Sequence, residues 1–281
     1  MLGVVAHDTG WPIPVGGAQS LTDALVSDIE AHGGVVTRGQ RIHKFAELGA
    51  SRLKFFDTST AAMGRVVGSA FPDRYRRVLN RQHVSPGAFK LDFALSSPVP
   101  WAARELHQVP VVHVGGIAEE ILRSEFEVAA GKRSEKPFVL LIKPTVVVDT
   151  RAEKGVPIVW AYCHKPNGSP VDMSERIIVQ IERFAPGFRE TILHTVTSPL
   201  AVLEQESSNY VGGDIGAASM TFAQIVARPI ASRAPWRTPA RGVYLCSSAA
   251  SPGVGAHGMA GYGAARGALK EIFGLGVPEL A

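Results

Sequence analysis

The chain has 281 residues and a mass of 29.9 kDa, a size that allows one large domain or two moderate ones. Apolar residues make up 46% of the chain and charged residues 19%, and this composition excludes a disordered, charge-driven protein. The net charge of +4 comes from basic residues spread along the chain, so the sequence does not indicate nucleic-acid binding.

The sequence also indicates a compartment. Lys143 and Pro144 interrupt the longest apolar run, so no run reaches the roughly 18 residues that a membrane-spanning helix needs. The start of the chain lacks the charged and apolar regions of a signal peptide. Cys163 and Cys246 stand far apart, and the histidines show no short ligand spacing, so neither a disulfide framework nor a metal site is expected. We expect a cytoplasmic protein.

The first predicted element is a helix between two glycine pairs. Gly16 and Gly17 precede an apolar stripe at four-residue spacing, and the pair at 33–34 is the expected end of the helix. The stripe consists of Leu21, Leu25 and Ile29. Two short apolar runs, 35–36 and 52–57, predict strands. This opening is typical of an α/β layer.

The segment 63–236 predicts a second domain with a sheet and helices. Strand-like runs lie at 89–95, 110–114, 137–142 and 157–163. The first of them alternates with period two, as expected where one face of a sheet is buried. Asp172 and Glu175 predict a capping box at the start of a helix, which the Pro-Gly pair at 186–187 ends.

Polar segments of this domain allow more than one interpretation. The run 167–169 is predicted to be a turn, and 209–214 is either a hairpin or a substrate loop. Isolated histidines such as His164 are interpreted as structural. A basic cluster either contacts phosphate or an anionic membrane surface, or is the solvated face of a short helix, which we favour. The cluster consists of Arg74, Arg76, Arg77 and Arg81.

The last segment returns to an α/β pattern. The run 242–246 predicts a buried strand, 252–258 a glycine-rich turn, and 259–273 a helix rich in small residues. Each helical glycine costs about 1 kcal/mol relative to alanine, so this helix is expected to pack tightly against another group.

The glycine turn allows competing interpretations. Gly253, Gly255 and Gly258 satisfy the dinucleotide fingerprint, but that site requires an acidic residue at the end of a second strand, and Glu271 falls inside the helix instead. A complete NAD-binding unit is therefore not predicted. Glycine backbone without side chains, around His257, would instead let a reduced flavin ring approach, and the N–H groups of the following helix N-terminus would suit its negative charge. The remaining alternative is a turn required only by helix–strand packing.

An ordered set of motifs resembles the phytoene dehydrogenase-like branch, NAD(P)/FAD-dependent oxidoreductases, of the flavin-containing amine oxidase superfamily. The motifs are GWPIPVGG at 10–17, PVPW at 98–101, ERFAPGF at 182–188, NYVGGDI at 209–215, RP at 228–229, RTP at 237–239, YLC at 244–246 and PGVGAHGM at 252–259. The resemblance covers nearly the whole chain.

The resemblance implies an α/β fold in which a partial, Rossmann-like FAD-binding domain carries an inserted substrate domain, built on a mixed β-sheet with helices. The expected boundaries are 1–62 and 237–281 for the FAD-binding domain and 63–236 for the substrate domain. Relatives begin with a glycine-rich unit that holds the ADP half of FAD, and these residues lack it. The chain is therefore expected to be a C-terminal portion of a longer enzyme.

The resemblance also implies the cofactor, FAD, and the residues beside it. By similarity, the cofactor-binding residues are Gly16, Gly17, Ser247, Ser248, Gly253, Val254, Gly255, Ala256, His257, Gly258 and Met259. Catalytic residues are not assigned, because in this superfamily the flavin itself accepts hydride and the protein supplies orientation and electrostatics.

The predicted function is that of an FAD-dependent, dehydrogenase- or desaturase-like oxidoreductase that removes hydride from a C–H bond of a small, largely apolar substrate. The alternatives are a noncatalytic remnant that acts as a binding or interaction module, and an independent NAD-binding protein. No nucleic-acid partner is expected. Peripheral membrane contact and a homo-oligomer both stay open.

Overall fold

The computed structural model describes residues 7–8, 10, 12–153, 155–255 and 257–278. The chain divides into a short unit, Met1–Ile42, and a large unit, His43–Ala281. The domain boundaries expected after residues 62 and 236 stay predictions. Within the described ranges, no helix combines the length and the apolar character needed to cross a bilayer.

The short unit contains the predicted helix, α1 (Ala18–Ala31). Gly17 is its N-cap, and Gly33 follows its end at a φ of 78°, which glycine adopts readily. The strand predicted at 35–36 is wrong: neither residue is in a strand, and Val35 is 86% exposed. Among the described residues no strand pairs with this run, and an apolar dipeptide without a partner does not form a strand.

The large unit contains both sheets. Its helices are α2 (Thr60–Val67), α3 (Asp73–Asn80), α4 (Ala118–Ala129), α5 (Ser174–Glu182), α6 (Phe188–Thr191), α7 (Leu200–Glu206), α8 (Phe222–Val226) and α9 (Met259–Ala268). Its strands are β1 (Lys54–Phe56), β2 (Gly87–Leu95), β3 (Val111–Val114), β4 (Val139–Ile142), β5 (Ile158–Lys165), β6 (Ile192–Ser198) and β7 (Val243–Leu245).

The larger sheet is antiparallel, in the order β3-β4-β5-β2-β6 among the described residues. The period-two alternation of β2 places Phe89, Leu91 and Phe93 in one core, against Ile177 and Ile181 of α5. The four strand-like runs of the middle segment are thereby confirmed.

The smaller sheet joins distant parts of the chain. β1 and β7 are parallel, with Lys54 opposite Val243 and Phe56 opposite Leu245. Helices α2, α3 and α9 cover this pair, and they share a second core with it. The coexistence of a parallel and an antiparallel sheet with packed helices confirms the predicted mixed α/β fold class.

Two glycines of α9, Gly263 and Gly267, pack closely against Trp236. A Cβ atom built on Gly263 would lie 2.8 Å from the Trp236 ring, and one on Gly267 would lie 3.1 Å from its Nε1. The helix then continues as a π-helical turn, Leu269–Phe273. The prediction of tight packing is confirmed.

The predicted capping box is wrong, although its helix exists as α5. Asp172 Oδ1 accepts a hydrogen bond from the backbone N–H of Ser174 at 2.6 Å. Glu175, however, bonds to Arg189 at 2.6 Å, because a guanidinium brought near by the fold is a stronger partner than a backbone amide. The predicted turn at 167–169 is confirmed, since Ser169 N–H donates to Pro166 O at 3.0 Å.

Candidate functional site

The carboxyl ends of β1 and β7 lie side by side, because the two strands are parallel. Cys246 N–H donates to Phe56 O at 2.9 Å, and Ser247 Oγ donates to Thr58 O at 2.7 Å. Ligands of parallel α/β sheets bind outside this end of the strands. We call the segments 57–59 and 246–248 the carboxyl edge.

A buried arginine holds the chain next to the carboxyl edge. The side chain of Arg228 is fully buried, and its Nε donates to Ser248 O at 2.7 Å. Its terminal nitrogens donate to the carbonyls of Gly216 and Ala218 at 2.9 and 3.1 Å. Its own carbonyl accepts from Ser251 N–H at 2.9 Å. The guanidinium therefore fixes the start of the glycine turn to the 216–218 segment.

Burial lowers the pKa of Arg228, and the nearby Asp214 carboxylate opposes this shift. Asp214 is itself buried and accepts hydrogen bonds from Ser85 N–H at 2.8 Å and from Gly216 N–H at 2.7 Å. The buried charges are thus satisfied by backbone groups, which is the condition for a buried polar network to be stable.

The segment 209–214 is not a hairpin, so that alternative is wrong; it forms a short 3₁₀ turn, Val211–Gly213. Asn209 Oδ1 accepts from Ser59 N–H at 3.0 Å, and its Nδ2 donates to Asp57 O at 3.2 Å. The segment also borders a cavity of about 300 Å³ beside the carboxyl edge. Its role as a substrate loop stays a prediction.

Burial shifts two titratable groups at the carboxyl edge towards their neutral forms. Desolvation raises the pKa of Asp57 above its ordinary value. Burial, and then the negative charge of Asp57, raise the pKa of Cys246 to about 11. Cys246 is therefore a neutral thiol at pH 7 and is not a nucleophile.

The glycine turn needs its glycines. Gly253, Gly255 and Gly258 have φ values of 101°, 146° and 62°, in the region that other residues rarely adopt. A Cβ atom on Gly253 would lie 3.5 Å from the Arg228 side chain, and one on Gly255 would lie 2.7 Å from the His257 ring. The turn is therefore both strained for other residues and closely packed.

The turn leads into the N-terminus of α9, which faces open space. Gly258 is the N-cap, and Met259 N–H donates to His257 Nδ1 at 3.1 Å. A Cβ atom on Gly258 or Gly261 would meet no heavy atom of the described residues within 4 Å. Val254, Met259 and Tyr262 are about half exposed around this opening. Helix N–H groups inside an apolar rim, with no acidic side chain in the turn, fit a flat ring that gains negative charge when it is reduced, as a flavin does.

The structure brings most of the predicted site residues together. The turn and the carboxyl edge contain Ser247, Ser248, Gly253, Val254, Gly255, His257, Gly258 and Met259. Ala256 lies outside the described residues. Gly16 and Gly17 lie in the short unit at the start of α1, and their part in the site stays a prediction.

The sequence patterns do not predict the residues that hold the site in place. Arg228 and Asp214 lie inside two of the motifs, RP and NYVGGDI, but the motifs indicate no role for either side chain. Asp57 and Ser59 belong to no motif. The Ser59 hydroxyl caps α2 by accepting from Ala62 N–H at 3.2 Å, and a Ser–Thr pair after a short apolar strand is a signal for such a cap.

No family model matches the chain. It is similar to pyridine nucleotide-disulfide oxidoreductase domain-containing protein 2 of Rattus norvegicus, with 26% identity over 301 residues, 93% of this chain and 52% of the relative. The protein of the same name from Mus musculus is 25% identical over the same shares. The chain thus spans about half the length of the curated relatives it matches.

Among solved structures, an oxidoreductase from Methanosarcina mazei matches with a TM-score of 0.53 and 15% identity, over 87% of this chain and 52% of that chain. This likeness concerns the fold, and it agrees with the mixed α/β architecture. The narrower resemblance to phytoene dehydrogenases stays a prediction. The chain is therefore similar in sequence to a pyridine nucleotide-disulfide oxidoreductase domain protein and in fold to an oxidoreductase.

Proposed function

We propose that this chain contributes the flavin-facing turn and the substrate domain of an FAD-dependent oxidoreductase, which removes hydride from a C–H bond of a largely apolar substrate. The observation that carries the proposal is the open N-terminus of α9, reached through a glycine turn at the carboxyl edge of a parallel strand pair. The similarity to an oxidoreductase domain protein supports the reaction class.

The residues of the chain have distinct parts in this proposal. Apart from the Met259 N–H, which bonds to His257, the backbone N–H groups at the start of α9 would stabilise negative charge on the cofactor. Met259 and Tyr262 would offer it apolar surface. Arg228 keeps Ser248 and the turn in place. When bound, FAD supplies the acceptor for the hydride. The C–H bond breaks with its electron pair, and the positive charge left on the substrate is removed when a neighbouring atom loses a proton to solvent. We assign no residue as the acceptor of that proton.

The cavity beside the carboxyl edge supports an apolar substrate. It is partly lined by Leu79, Val84 and Val211. Two of its polar side chains satisfy one another, because Thr60 Oγ1 donates to Gln82 Oε1 at 2.5 Å. Because these two side chains bond to each other, neither is left without a partner when an apolar molecule displaces water from the cavity.

A first experiment tests the cofactor. The protein is purified after expression from its native gene, and its visible absorption is recorded before and after FAD is added. We expect the two absorption bands of a bound flavin. A protein that unfolds cooperatively, stays colourless and takes up no FAD overturns the proposal and supports the noncatalytic binding module. Tight binding of NAD without FAD also overturns it and supports the dinucleotide-binding alternative.

A second experiment tests the position of the flavin. Met259→Glu places a carboxylate in the first turn of α9, where an acid favours the helix, so the variant should fold. The same carboxylate repels the partial negative charge on the carbonyl oxygens of the flavin ring, and we expect FAD affinity to fall about fivefold, the equivalent of about 1 kcal/mol. Leu275→Glu, at another exposed apolar position, is the matched control and should bind as the wild type does. Equal affinities in both variants would place the flavin elsewhere.

A further inference from the structure

A groove between α2 and α3 adjoins the cavity beside the carboxyl edge, with which it shares Ala61 and Asn80, and its lining lies on these two helices rather than in the glycine turn. Tyr75 and Leu79 anchor α3 in the core, and the Tyr75 ring makes an edge contact with Phe71 at a centroid distance of 5.0 Å. Because one face of α3 is fixed in this way, its charged residues lie on the remaining faces. The groove has a volume of about 740 Å³. It is lined by Ala61, Gly64, Arg65, Asp73, Arg76, Arg77 and Asn80.

The charge of this groove is positive and incompletely neutralised. Among the lining residues that the structure describes, Asp73 is the one acidic residue, and it is bonded to Arg76. Arg65 and Arg77 bond to no carboxylate among the residues that the structure describes. The lining thus leaves two guanidinium groups whose donors are free for a ligand.

The shape of the groove distinguishes it from an ordinary solvated helix face. Arg74 and Arg81 belong to the same basic cluster of the sequence, but they do not line it. Arg65 comes from α2 instead, so two helices contribute guanidinium groups to one concavity. Its volume is within the range of about 300–1,000 Å³ that is usual for small-molecule sites.

We propose that this groove binds a phosphate group. The planar forks of Arg65 and Arg77 match the oxygens of a phosphate, and the Asn80 amide adds a neutral donor. The small side chain of Ala61 leaves this part of the lining open. The phosphate belongs either to a free phosphorylated molecule or to a phospholipid headgroup. The proposal does not depend on the flavin.

The main experiment measures pyrophosphate binding by calorimetry. In the double variant Arg65→Ala, Arg77→Ala we expect the affinity to fall at least about tenfold, because charge-assisted hydrogen bonds to phosphate are lost. Arg74→Ala, Arg81→Ala is the matched control: it removes the same number of positive charges, from arginines of the basic cluster that lie outside the groove. We expect it to retain most of the affinity. Equal losses in both double variants would mean a general electrostatic attraction and would overturn the proposal.

A third variant keeps every charge. Ala61→Leu enlarges an exposed residue of the lining with a good helix former, so the fold should be retained. We expect it to weaken pyrophosphate binding by obstructing the groove. Unchanged binding in this variant would also count against the site.

Vesicles distinguish the two sources of phosphate. Vesicles of phosphatidylcholine with phosphatidic acid are compared with vesicles of phosphatidylcholine alone. Binding of pyrophosphate without vesicle binding identifies a free phosphorylated ligand. Binding to the phosphatidic acid vesicles that Arg65→Ala, Arg77→Ala abolishes identifies a lipid headgroup. Binding to neither probe overturns the proposal.

Discussion

The antiparallel sheet and the carboxyl edge are stabilised in different ways. In the sheet, alternate residues of β2 bury large apolar side chains such as Phe93, which packs edge-on against Phe188 at a centroid distance of 5.3 Å. At the edge, the chain is held by buried polar groups, above all Arg228. The sheet therefore owes its order to apolar burial, while the edge owes its order to hydrogen bonds between distant segments.

This difference fits the two roles that we propose. Apolar packing tolerates changes of similar volume, so it suits a scaffold. A network of buried hydrogen bonds fixes backbone groups in space, and a helix N-terminus that faces a cofactor needs such positioning. The difference also predicts that variants in the two regions will fail in distinguishable ways.

The largest effect is expected in the sheet. Phe93→Ala leaves a cavity beside Phe188 and should lower the free energy of unfolding by about 4 kcal/mol. Urea denaturation measures the loss. Phe55→Ala, at a half-exposed position of β1, is the control and should cost far less. Similar losses of unfolding free energy in both variants would show that the different burial of the two side chains does not determine their contribution to stability.

The next effect is expected at the edge. Arg228→Leu leaves buried carbonyl groups, including those of Gly216 and Ser248, without their donor, and should cost about 3 kcal/mol. Hydrogen exchange should lose protection mainly in the segments 216–219 and 248–253. A loss of protection spread evenly over the sheet would contradict a local role for Arg228.

A smaller effect on stability is expected from substitutions at two glycines of α9, and its sign should differ between them. Gly263→Ala forces a methyl group against the Trp236 ring, and we expect a loss of about 1–2 kcal/mol after the gain in helix propensity. Gly261→Ala meets no atom within 4 Å and should instead stabilise the chain by about 1 kcal/mol. Thermal denaturation of the pair measures both changes. Stability changes of the same sign in both variants would show that the contact with Trp236 does not require a glycine at position 263.

The sequence predicts the sheet better than the edge for a physical reason. Period-two alternation is a local signal, so β2 could be predicted from its own residues. The pairing of β1 with β7 could not, because the partners are far apart in the chain and each run is short. The run 35–36 shows the converse error, since its apolar residues have no partner strand among those described.

The residues of the candidate site also differ in how well the sequence predicts them. The glycine turn could be predicted, because Gly253, Gly255 and Gly258 are a local pattern with a known backbone requirement. Arg228 could not, because its hydrogen bonds go to carbonyls of segments that only the fold brings near. Glu175 illustrates the same limit, since its tertiary partner Arg189 replaces the cap that local spacing predicts.

The two cysteines report on the two regions at alkaline pH. Burial raises the pKa of the Cys163 thiol, in β5, to about 12, and the pKa of Cys246, at the edge, is raised to about 11. Both values exceed the ordinary value of 9.0, so the unfolded chain loses these protons first. Each thiol therefore contributes stability that is complete below pH 9.0 and is lost as the pH rises towards 11 or 12.

The same pKa values predict an order of alkylation. At pH 9.0 the thiolate fraction of Cys246 should exceed that of Cys163, and iodoacetamide should modify Cys246 first, as mass spectrometry can measure. Cys163 is also fully buried in the sheet, so its modification requires the sheet to open. Phe93→Ala should therefore speed alkylation of Cys163 and leave that of Cys246 nearly unchanged. If the variant speeds both equally, the sheet and the edge open together, and their different packing does not make them separate units of stability.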